Sequence, residues 1–394
     1  MLHAYHFPTT IHFGPGARRL LPETLRAAGV KRPLVLTDQG VSKLPWFAGL
    51  VSLLDGFATA TFDGVAGNPV VSQVDAGVAA FAAHDADAIV AVGGGAPIDV
   101  AKAVALMAHH PGHLLDYEDG KPDGRPVDQA IPHLVAVPTT SGTGSEVGRS
   151  AVVSDDETHA KKIIFDPRLL PRAVFADPEL TLGLPSTITA ATGMDALTHV
   201  VEAFLSRGDH PMADGIALEG VTMVSEHLAR AVDFARRLEA GETLDDAEHA
   251  AHLESRGQML NASIMGAVAF QKGLGVTHSC AHALSTVCDT HHGLANGVML
   301  PAALRFNLAT EGDRFLRLAR AVDTSASDGA DFIDWVVALR ARIGIPAGLA
   351  ALGVGEDAFD QLVAVAIDDG CHPNNPREVT RQHLFAIYRD AIGQ

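Results

Sequence analysis

The chain has 394 residues, which is enough for two domains that each bury a substantial apolar core. Hydrophobic residues make up 47% of it and aromatic residues only 5%, and its 38 glycines lie among alanine- and valine-rich stretches, a composition typical of packed α/β enzymes. The formal net charge of -18 argues against a nucleic-acid partner, because such proteins gain affinity from Lys and Arg that neutralise phosphates.

The sequence shows neither a secretion signal nor a membrane span. Its first residues, MLHAYHFPTTIHFG, lack a basic start and an apolar core, and no run approaches ~20 apolar residues. The three cysteines, Cys280, Cys288 and Cys371, are too few for a disulfide framework in a chain of this length. We therefore expect a soluble protein of the reducing cytoplasm with no membrane partner. We also expect a homodimer or a higher homo-oligomer.

The first ~180 residues alternate short apolar runs with segments of helical period, which predicts βαβ units and a mostly parallel sheet. The predicted strands run from Pro33 to Thr37, Phe57 to Phe62, Ala88 to Val92, Leu134 to Val137 and Ala173 to Ala176. The predicted helices between them include Gln73 to Ala83 and Ile98 to Ala108.

After about Leu184 the strand-like runs stop and long amphipathic segments follow. The first three run from Thr187 to Leu205, Ala213 to Ala240 and Ala247 to Met265. We predict an α/β domain over residues 1–183 and a helical domain over residues 184–394. Pro185 prevents an earlier start of the first helix of this domain, and we expect Ser186 or Thr187 to be its N-cap.

Two glycine-containing loops follow predicted strands of the α/β domain. In AIVAVGGGAPIDVAK, Gly93, Gly94 and Gly95 precede a helix opened by Pro97, where a phosphate can approach the backbone and meet the positive end of the helix. Triple glycine alone also fits a plain tight turn, and it is not the GxGxxG fingerprint. The second loop, PTTSGTGSEV at 138–147, is rich in small and hydroxyl residues. Two such loops at one edge of a parallel sheet predict a dinucleotide site in this domain.

Asp38 follows the strand that begins at Pro33. A carboxylate at this point accepts hydrogen bonds from a ribose diol and repels a 2′-phosphate, which favours NAD over NADP. The alternative interpretation is a helix or turn cap before Val41.

Two clusters of possible metal ligands lie in the helical half. In GMDALTHVVEAF, Asp195 and His199 are four residues apart on one face of a predicted helix, where they either chelate a cation or form a surface pair. In GVTHSCAHALSTVCDTHHGLANG, small apolar residues surround four histidines, which indicates buried imidazoles that need partners. These four are His278, His282, His291 and His292.

A carboxylate with several imidazoles suits Fe(II), Zn or related ions. No sulfur-ligand spacing indicates a structural zinc cluster, and Cys280, two positions from His278, should face away from it. A metal in a dry site lowers the pKa of a bound alcohol and so assists hydride transfer to a nicotinamide, while a spare histidine relays the proton. The sequence therefore predicts a metal-dependent alcohol dehydrogenase or aldehyde reductase.

These motifs resemble the iron-containing, group III alcohol dehydrogenase family over essentially the whole chain. GGGAPIDVAK is similar to the family's GGGSPxDxAK loop with Ala96 in place of serine, and PTTSGTGSEV is similar to its second cofactor loop. ADPELTLGLPSTITAATGMDALTHVVEAF and HSCAHALSTVCDTHHGLANGVMLP resemble its two metal-region signatures, and NNPREVT resembles a further feature. The resemblance implies an α/β N-terminal Rossmann-like domain and an all-α C-terminal domain, the dehydroquinate synthase-like architecture.

The resemblance also implies roles for single residues. The implied metal ligands are Asp195, His199, His278 and His292. His282 becomes the nearby proton-relay or substrate-contacting residue, and His291 has no assigned role. The implied NAD contacts are Asp38, Asn68, Gly94, Gly95, Ala96, Asp99, Thr139, Thr140, Thr143 and Lys161. We expect little loss from the missing hydroxyl at Ala96, because backbone N–H groups carry the phosphate contact.

Other interpretations stay open at this point. A lyase of the dehydroquinate synthase type shares the architecture and uses NAD with a metal, but its Glu, His, His ligand set differs from the pattern here. A glycerol dehydrogenase or a maleylacetate reductase would be an oxidoreductase of another branch. A non-catalytic dinucleotide-binding or filament-forming protein is disfavoured, because every expected ligand position is filled.

The sequence leaves the metal and the substrate undetermined. Iron and zinc both accept the implied ligands. Arg149, directly after GSEVG, offers a cation for a substrate carboxylate, and hence for a hydroxy acid or a semialdehyde, although the position favours a solvent-facing arginine.

Overall fold

In the computed structural model, which describes residues 5–7 and 9–393, the chain divides into two compact units. The sheet unit comprises the described residues of Phe7–Thr140 and Gly144–Thr181. The helical unit comprises residues 5–6, Ser141–Thr143 and 182–393. The middle of the second glycine loop thus belongs to the helical unit.

The sheet unit contains a six-stranded parallel sheet and a separate hairpin. Its strands are β1 (Thr10–Phe13), β2 (Pro33–Asp38), β3 (Ala60–Val65), β4 (Ala88–Gly93), β5 (His133–Pro138), β6 (Ser150–Ser154), β7 (Lys161–Phe165) and β8 (Ala173–Ala176). The sheet order is β1-β8-β5-β4-β2-β3, with every neighbouring pair parallel, and β6 pairs antiparallel with β7. Its helices are α1 (Leu21–Ala27), α2 (Phe47–Ser52), α3 (Val71–Ala83) and α4 (Gly95–Met107).

The central strands are apolar because both faces of the sheet are covered. β4 reads AIVAVG and is buried along its whole length, as expected for a parallel strand with a core on each side. Ile89 packs in the cluster that includes Val104 of α4, whereas its neighbour Val90 packs in the cluster that includes Leu25 of α1. Alternate residues of one strand therefore build two separate cores.

The five predicted strands are all present, and β8 matches its prediction at both ends. β3 begins three residues later than predicted and runs through Asp63 and Gly64, which an edge strand tolerates because one side of it meets solvent. The sequence prediction lacks β1 and the β6–β7 hairpin. Their strands have only four or five residues, and β1 is held by pairing with β8, far along the chain.

The helical unit consists, among the described residues, of helices and short turns of helix. Its helices are α5 (Ser186–Leu205), α6 (Pro211–Glu239), α7 (Asp246–Ala269), α8 (Val276–Cys288), α9 (His292–Leu308), α10 (Gly312–Val322), α11 (Ala330–Ile343), α12 (Phe359–Ile367) and α13 (Arg381–Asp390). None of the helices in the described part of the chain is both long and apolar enough to cross a membrane.

Helix α5 is buried on all sides, and glycine allows its neighbour to approach closely. A Cβ built on Gly193 of α5 would lie 2.1 Å from Leu228 of α6, and one built on Gly220 of α6 would lie 2.6 Å from Val200 of α5. Close packing of α5 against α6 restricts the positions of the polar side chains that α5 carries.

The predicted N-cap of α5 is wrong. The helix begins at Ser186, and Pro185 takes the cap position without a side-chain cap. The backbone N–H and the hydroxyl of Ser186 each donate to the carboxylate of Glu239, at the end of α6, at 2.7 Å. A long-range carboxylate thus replaces the local cap.

Helix α4 also begins at another residue than predicted. It begins at Gly95, two residues before Pro97, and proline is tolerated there because the first-turn N–H groups of a helix need no helical acceptor.

Candidate functional site

Four of the implied NAD contacts follow four neighbouring strands of the sheet. These positions are Asp38 at the end of β2, Asn68 after β3, Gly94 after β4 and Thr139 after β5. Because the strands are parallel, their carboxyl ends lie at one edge, where nucleotides bind in open α/β sheets. The N–H of Thr139 donates to the carbonyl of Gly93 at 2.9 Å, and a Cβ built on Gly94 would lie 3.0 Å from Thr140 Oγ1. The two glycine loops therefore contact each other.

Asp38 has the geometry of the turn cap that was its alternative interpretation. Its Oδ1 accepts hydrogen bonds from the N–H groups of Gly40 and Val41, both at 2.8 Å. Its Oδ2 lies on the other side, 3.3 Å from a Cβ built on Gly93. One oxygen thus holds the turn while the other lies beside the glycine loop, so the cap does not remove the carboxylate from the expected ribose position.

Asp99 holds the second glycine loop. Its two oxygens accept from the Ser145 hydroxyl at 2.5 Å and from the Val152 N–H at 3.2 Å. Next to it, the fully buried Lys102 donates to the carbonyls of Ser145 and Ser150 at 2.6 and 2.8 Å. These bonds tie α4, which begins at the first glycine loop, to the second loop and to β6.

The other implied NAD contacts are distributed over the structure. Gly95 and Ala96 open α4, and Lys161 begins β7. Thr143 lies in the part of the second loop that belongs to the helical unit.

Glu146, in the same loop, is a buried carboxyl with an unsatisfied atom. It is 2% exposed, and its Oε1 has no hydrogen-bond partner in the described part of the chain. Burial raises the pKa of Glu146 to about 7, and burial also lowers the pKa of the nearby Lys102 to about 8. The folded sheet unit therefore favours the protonated form of Glu146.

Three helices of the helical unit bring together three of the implied metal ligands. Asp195 of α5, His278 of α8 and His292 of α9 each offer one ligand atom, and these atoms all lie within 4.8 Å of one another. Asp195 Oδ1 is 3.3 Å from His292 Nε2 and 4.0 Å from His278 Nε2. Asp195 and His278 are buried, and His292 is half-buried.

His199, the fourth implied ligand, lies beside this group but does not join it at the same spacing. Its ring stacks on that of His278, with centroids 4.6 Å apart. Its Nδ1 is buried and has no hydrogen-bond partner among the described residues. Burial lowers the pKa of His199 to about 4, so its ring is neutral near pH 7, the form in which imidazole binds metals.

The amide of Asn296 fills the centre of the group. Its Nδ2 donates to Asp195 Oδ1 at 2.7 Å and lies 3.2 Å from His292 Nε2 and 3.4 Å from His278 Nε2. Its Oδ1 is buried without a hydrogen-bond partner in the described residues. A carboxylate oxygen and two imidazole nitrogens that converge in this way also fit a cation, and this set of ligand types suits Fe(II) or Zn.

Sequence reasoning missed Asn296, although it lies four residues after His292 and so on the same helical face. It also missed two carboxylates that each hold a histidine. Glu202 accepts from His278 Nδ1 and Asp369 from His282 Nδ1, both at 2.7 Å. Glu202 lies on α5 one turn beyond His199, which was a usable signal, whereas no local pattern indicates Asp369.

His282 is held next to the candidate ligands. Its ring stacks on that of His292 with centroids 5.2 Å apart. Asp369 also accepts from the Ser279 hydroxyl and the Cys371 N–H. Burial raises the pKa of Asp369, but the charge and the hydrogen bond of His282 outweigh burial and hold this pKa well below its usual range. An ionised Asp369 therefore fixes the orientation of the His282 ring.

Two further residues of the histidine cluster lie outside the group. His291 is exposed at the N-cap position of α9. Cys280 is fully buried in the apolar core of the helical unit, so it faces away from the candidate ligands as predicted.

Comparison with known proteins gives the class of this enzyme. Residues 8–178 match the family model described as iron-containing alcohol dehydrogenase, and residues 189–392 match that of the C-terminal domain of the same family. A 4-hydroxybutyrate dehydrogenase from Cupriavidus necator is 41% identical, over 99% of this chain and 98% of the relative.

Solved structures agree. The crystal structure of a 1,3-propanediol oxidoreductase has a TM-score of 0.91 and 35% identity, and covers 99% of this chain and 100% of its own. A sulfoacetaldehyde reductase from Bifidobacterium kashiwanohense in complex with NAD+ has a TM-score of 0.88 and 29% identity, over 100% of this chain and 99% of its own.

The chain therefore belongs to the iron-containing alcohol dehydrogenase family. It is an NAD-dependent oxidoreductase that interconverts small alcohols and aldehydes, and its cofactors are NAD and iron. The predicted fold class, enzyme class and cofactors are confirmed, and the lyase and non-catalytic alternatives are not supported.

The buried Glu146 predicts a pH dependence of stability. Since its folded pKa is raised to about 7 from 4.5, the stability that it contributes is fully present below pH 4.5 and is lost as the pH rises through 7. We expect the free energy of unfolding of Glu146→Gln to rise relative to wild type by roughly 3 kcal/mol between pH 4.5 and pH 8. Urea unfolding at several pH values measures this, with the exposed Glu157→Gln as control; a pH-independent difference would contradict it.

The contact of Gly293 with α5 predicts a steric test of the candidate metal site. A Cβ built on Gly293 would lie 2.3 Å from the carbonyl oxygen of Ala191, so Gly293→Ala must push the start of α9, with His292, away from Asp195. We expect bound metal, measured by elemental analysis, to fall several-fold. Gly215→Ala on α6, where a Cβ meets nothing within 4 Å, should keep its metal. Equal metal content in both variants would disprove the role of this contact.

Proposed function

We propose that the enzyme oxidises the terminal hydroxyl of small ω-hydroxy acids with NAD at a metal centre of the helical unit. The proposed metal ligands are Asp195, His199, His278 and His292. The observation that carries the proposal is the convergence of a buried carboxylate and two imidazoles within 4.8 Å, with the His282 ring stacked beside them. A divalent cation bound there would act as a Lewis acid that lowers the pKa of an alcohol hydroxyl.

The residues of the chain have separate tasks in this proposal. Asp195 supplies the negative charge of the ligand set, and the neutral ring of His199 supplies a lone pair. His282 moves the proton of the hydroxyl. Because its Nδ1 bonds to Asp369, its Nε2 is the atom that takes up or returns this proton.

We propose that the sheet edge holds NAD. The proposed contacts are Asp38, Asn68, Gly94, Gly95, Ala96, Thr139, Thr140, Thr143 and Lys161. The N–H groups at the start of α4 face the phosphates, since a helix N-terminus complements negative charge. Asp99 acts through the second loop instead, because both of its oxygens already accept hydrogen bonds from Ser145 and Val152.

The proposal of a hydroxy acid rests on the likeness to the 4-hydroxybutyrate dehydrogenase and on Arg149. The guanidinium of Arg149 lies 5.4 Å from the centroid of the Phe165 ring. An arginine that lies over an aromatic ring still has N–H groups for a planar, bidentate partner such as a carboxylate. We propose that Arg149 binds the carboxylate of the substrate.

The homo-oligomeric state and the cytoplasmic location stay predictions. β1 is an edge strand that ends at the exposed Phe13, an arrangement that favours association with a second chain. Light scattering of the purified enzyme measures the oligomeric state.

The roles of two neighbouring histidines can be separated. His278→Ala should abolish metal retention because it removes a proposed ligand. His282→Ala should keep the metal while kcat falls roughly 100-fold, the usual effect of losing a general acid or base. Elemental analysis and steady-state NADH formation from an added alcohol measure the two effects. Equal loss of metal from both variants would show that this division of roles is wrong, and absence of net NADH formation by wild type would refute the dehydrogenase.

Arg149 can be tested with paired substrates. Arg149→Ala should raise KM for 4-hydroxybutyrate roughly tenfold or more, the value of a charge-assisted bidentate bond, and leave KM for 1,3-propanediol and 1-butanol nearly unchanged. Arg149→Lys keeps the charge but lacks the planar guanidinium, so its KM for 4-hydroxybutyrate should lie between those of wild type and Arg149→Ala. Equal losses on acids and plain alcohols would reject the carboxylate contact.

A further inference from the structure

Glu202 is a buried carboxylate beside the proposed metal ligands. It lies on α5, is 4% exposed, and accepts hydrogen bonds with both oxygens. Its Oε1 accepts from the Thr277 N–H at 2.6 Å, and its Oε2 accepts from the Gly275 N–H at 3.0 Å. The same Oε2 is 2.7 Å from His278 Nδ1. One carboxylate therefore contacts both the first turn of α8 and the ring of His278.

These contacts fix which nitrogen of His278 carries the proton. An ionised carboxylate only accepts hydrogen bonds, so Nδ1 is the donor; in the neutral ring, the form of imidazole that binds metals, Nε2 then carries the lone pair. Nε2 is the atom that lies near Asp195 Oδ1 and Asn296 Nδ2. The bond to Glu202 thus aims the lone pair of His278 at the centre of the candidate site and makes the imidazole more basic.

A second residue holds the start of α8 without contact to any proposed ligand. Asn375, which is fully buried, accepts from the Val276 N–H at 3.2 Å and exchanges hydrogen bonds with Asn307. The helix terminus is therefore held at two points. Of these two described residues, Glu202 is the one that also bonds to a histidine ring.

We propose that Glu202 is a positioning residue that sets the metal affinity of the centre by holding His278 in the tautomer and orientation required of a ligand. The inference rests on the proposed assignment of His278 as a ligand. It predicts that loss of the charge of Glu202 weakens metal binding even when the fold is intact, whereas loss of the Asn375 contacts weakens the fold but not metal binding.

The test is a titration of metal-depleted enzyme with Co(II) and Zn(II), without NAD or substrate. Glu202→Gln keeps the side-chain shape and an oxygen acceptor for a backbone N–H. We expect its metal affinity to fall about 10- to 100-fold, the range found for partners of ligating histidines. The visible absorption of the Co(II) form should also shift, because the ligand field of His278 changes. Glu202→Asp, which keeps the charge, should recover part of the affinity.

The matched control is Asn375→Ala. It should lower Tm while metal affinity stays within about threefold of wild type. Unchanged metal affinity in Glu202→Gln, or an equal loss in Asn375→Ala, would overturn the inference and leave Glu202 as a helix cap only. If Glu202→Gln does not fold, as judged by circular dichroism, the metal affinities of Glu202→Asp and Asn375→Ala are compared instead. A loss of affinity in Glu202→Asp that Asn375→Ala does not share supports the inference, and equal affinities overturn it. His278→Ala separates failure of the proposed ligand set from failure of the inference about Glu202. If this variant binds metal as tightly as wild type, the ligand set is wrong.

Discussion

The structure of the helical unit depends on the burial of a carboxylate and several imidazoles among mostly apolar side chains. Such groups cost free energy when they leave water unless each polar atom finds a partner. Here Asp195, His278 and His292 share one donor, the amide of Asn296, at their common centre. His199, whose Nδ1 has no hydrogen-bond partner among the described residues, stacks on the ring of His278 beside them.

The contacts between the helices bring these buried polar groups together. α5 is held by close contacts with α6, and α9 lies against α5 at a glycine. Two carboxylates then hold the two histidines of α8: Glu202 of α5, which precedes α8 in the chain, holds His278, and Asp369, in the segment after α12, holds His282. Rigid helices with oriented histidines are what a catalytic metal centre requires, since ligand orientation affects both affinity and reactivity.

The sheet unit follows a different principle. Its proposed cofactor site consists of backbone at the carboxyl ends of parallel strands, where glycine permits close approach of a phosphate. Two side chains of α4, Lys102 and Asp99, hold this backbone through hydrogen bonds to the second glycine loop. A glycine loop at a sheet edge concerns the cofactor and not the substrate, and the proposed recognition of the substrate depends instead on a single side chain, Arg149.

Periodicity and motif spacing in the sequence determined the fold class, the central strands and the helical half, because these depend on local patterns of burial. The four-residue spacing of Asp195 and His199 was likewise sufficient to place both on one helical face. Tertiary structure alone decided the roles of Asp369 and Asn375, and also the cap of Ser186 by Glu239, since these contacts join residues that are far apart in the chain. Short pairings such as β1 with β8 escaped prediction for the same reason. A local pattern indicates which face of an element is buried, but only the folded chain determines which polar groups meet there.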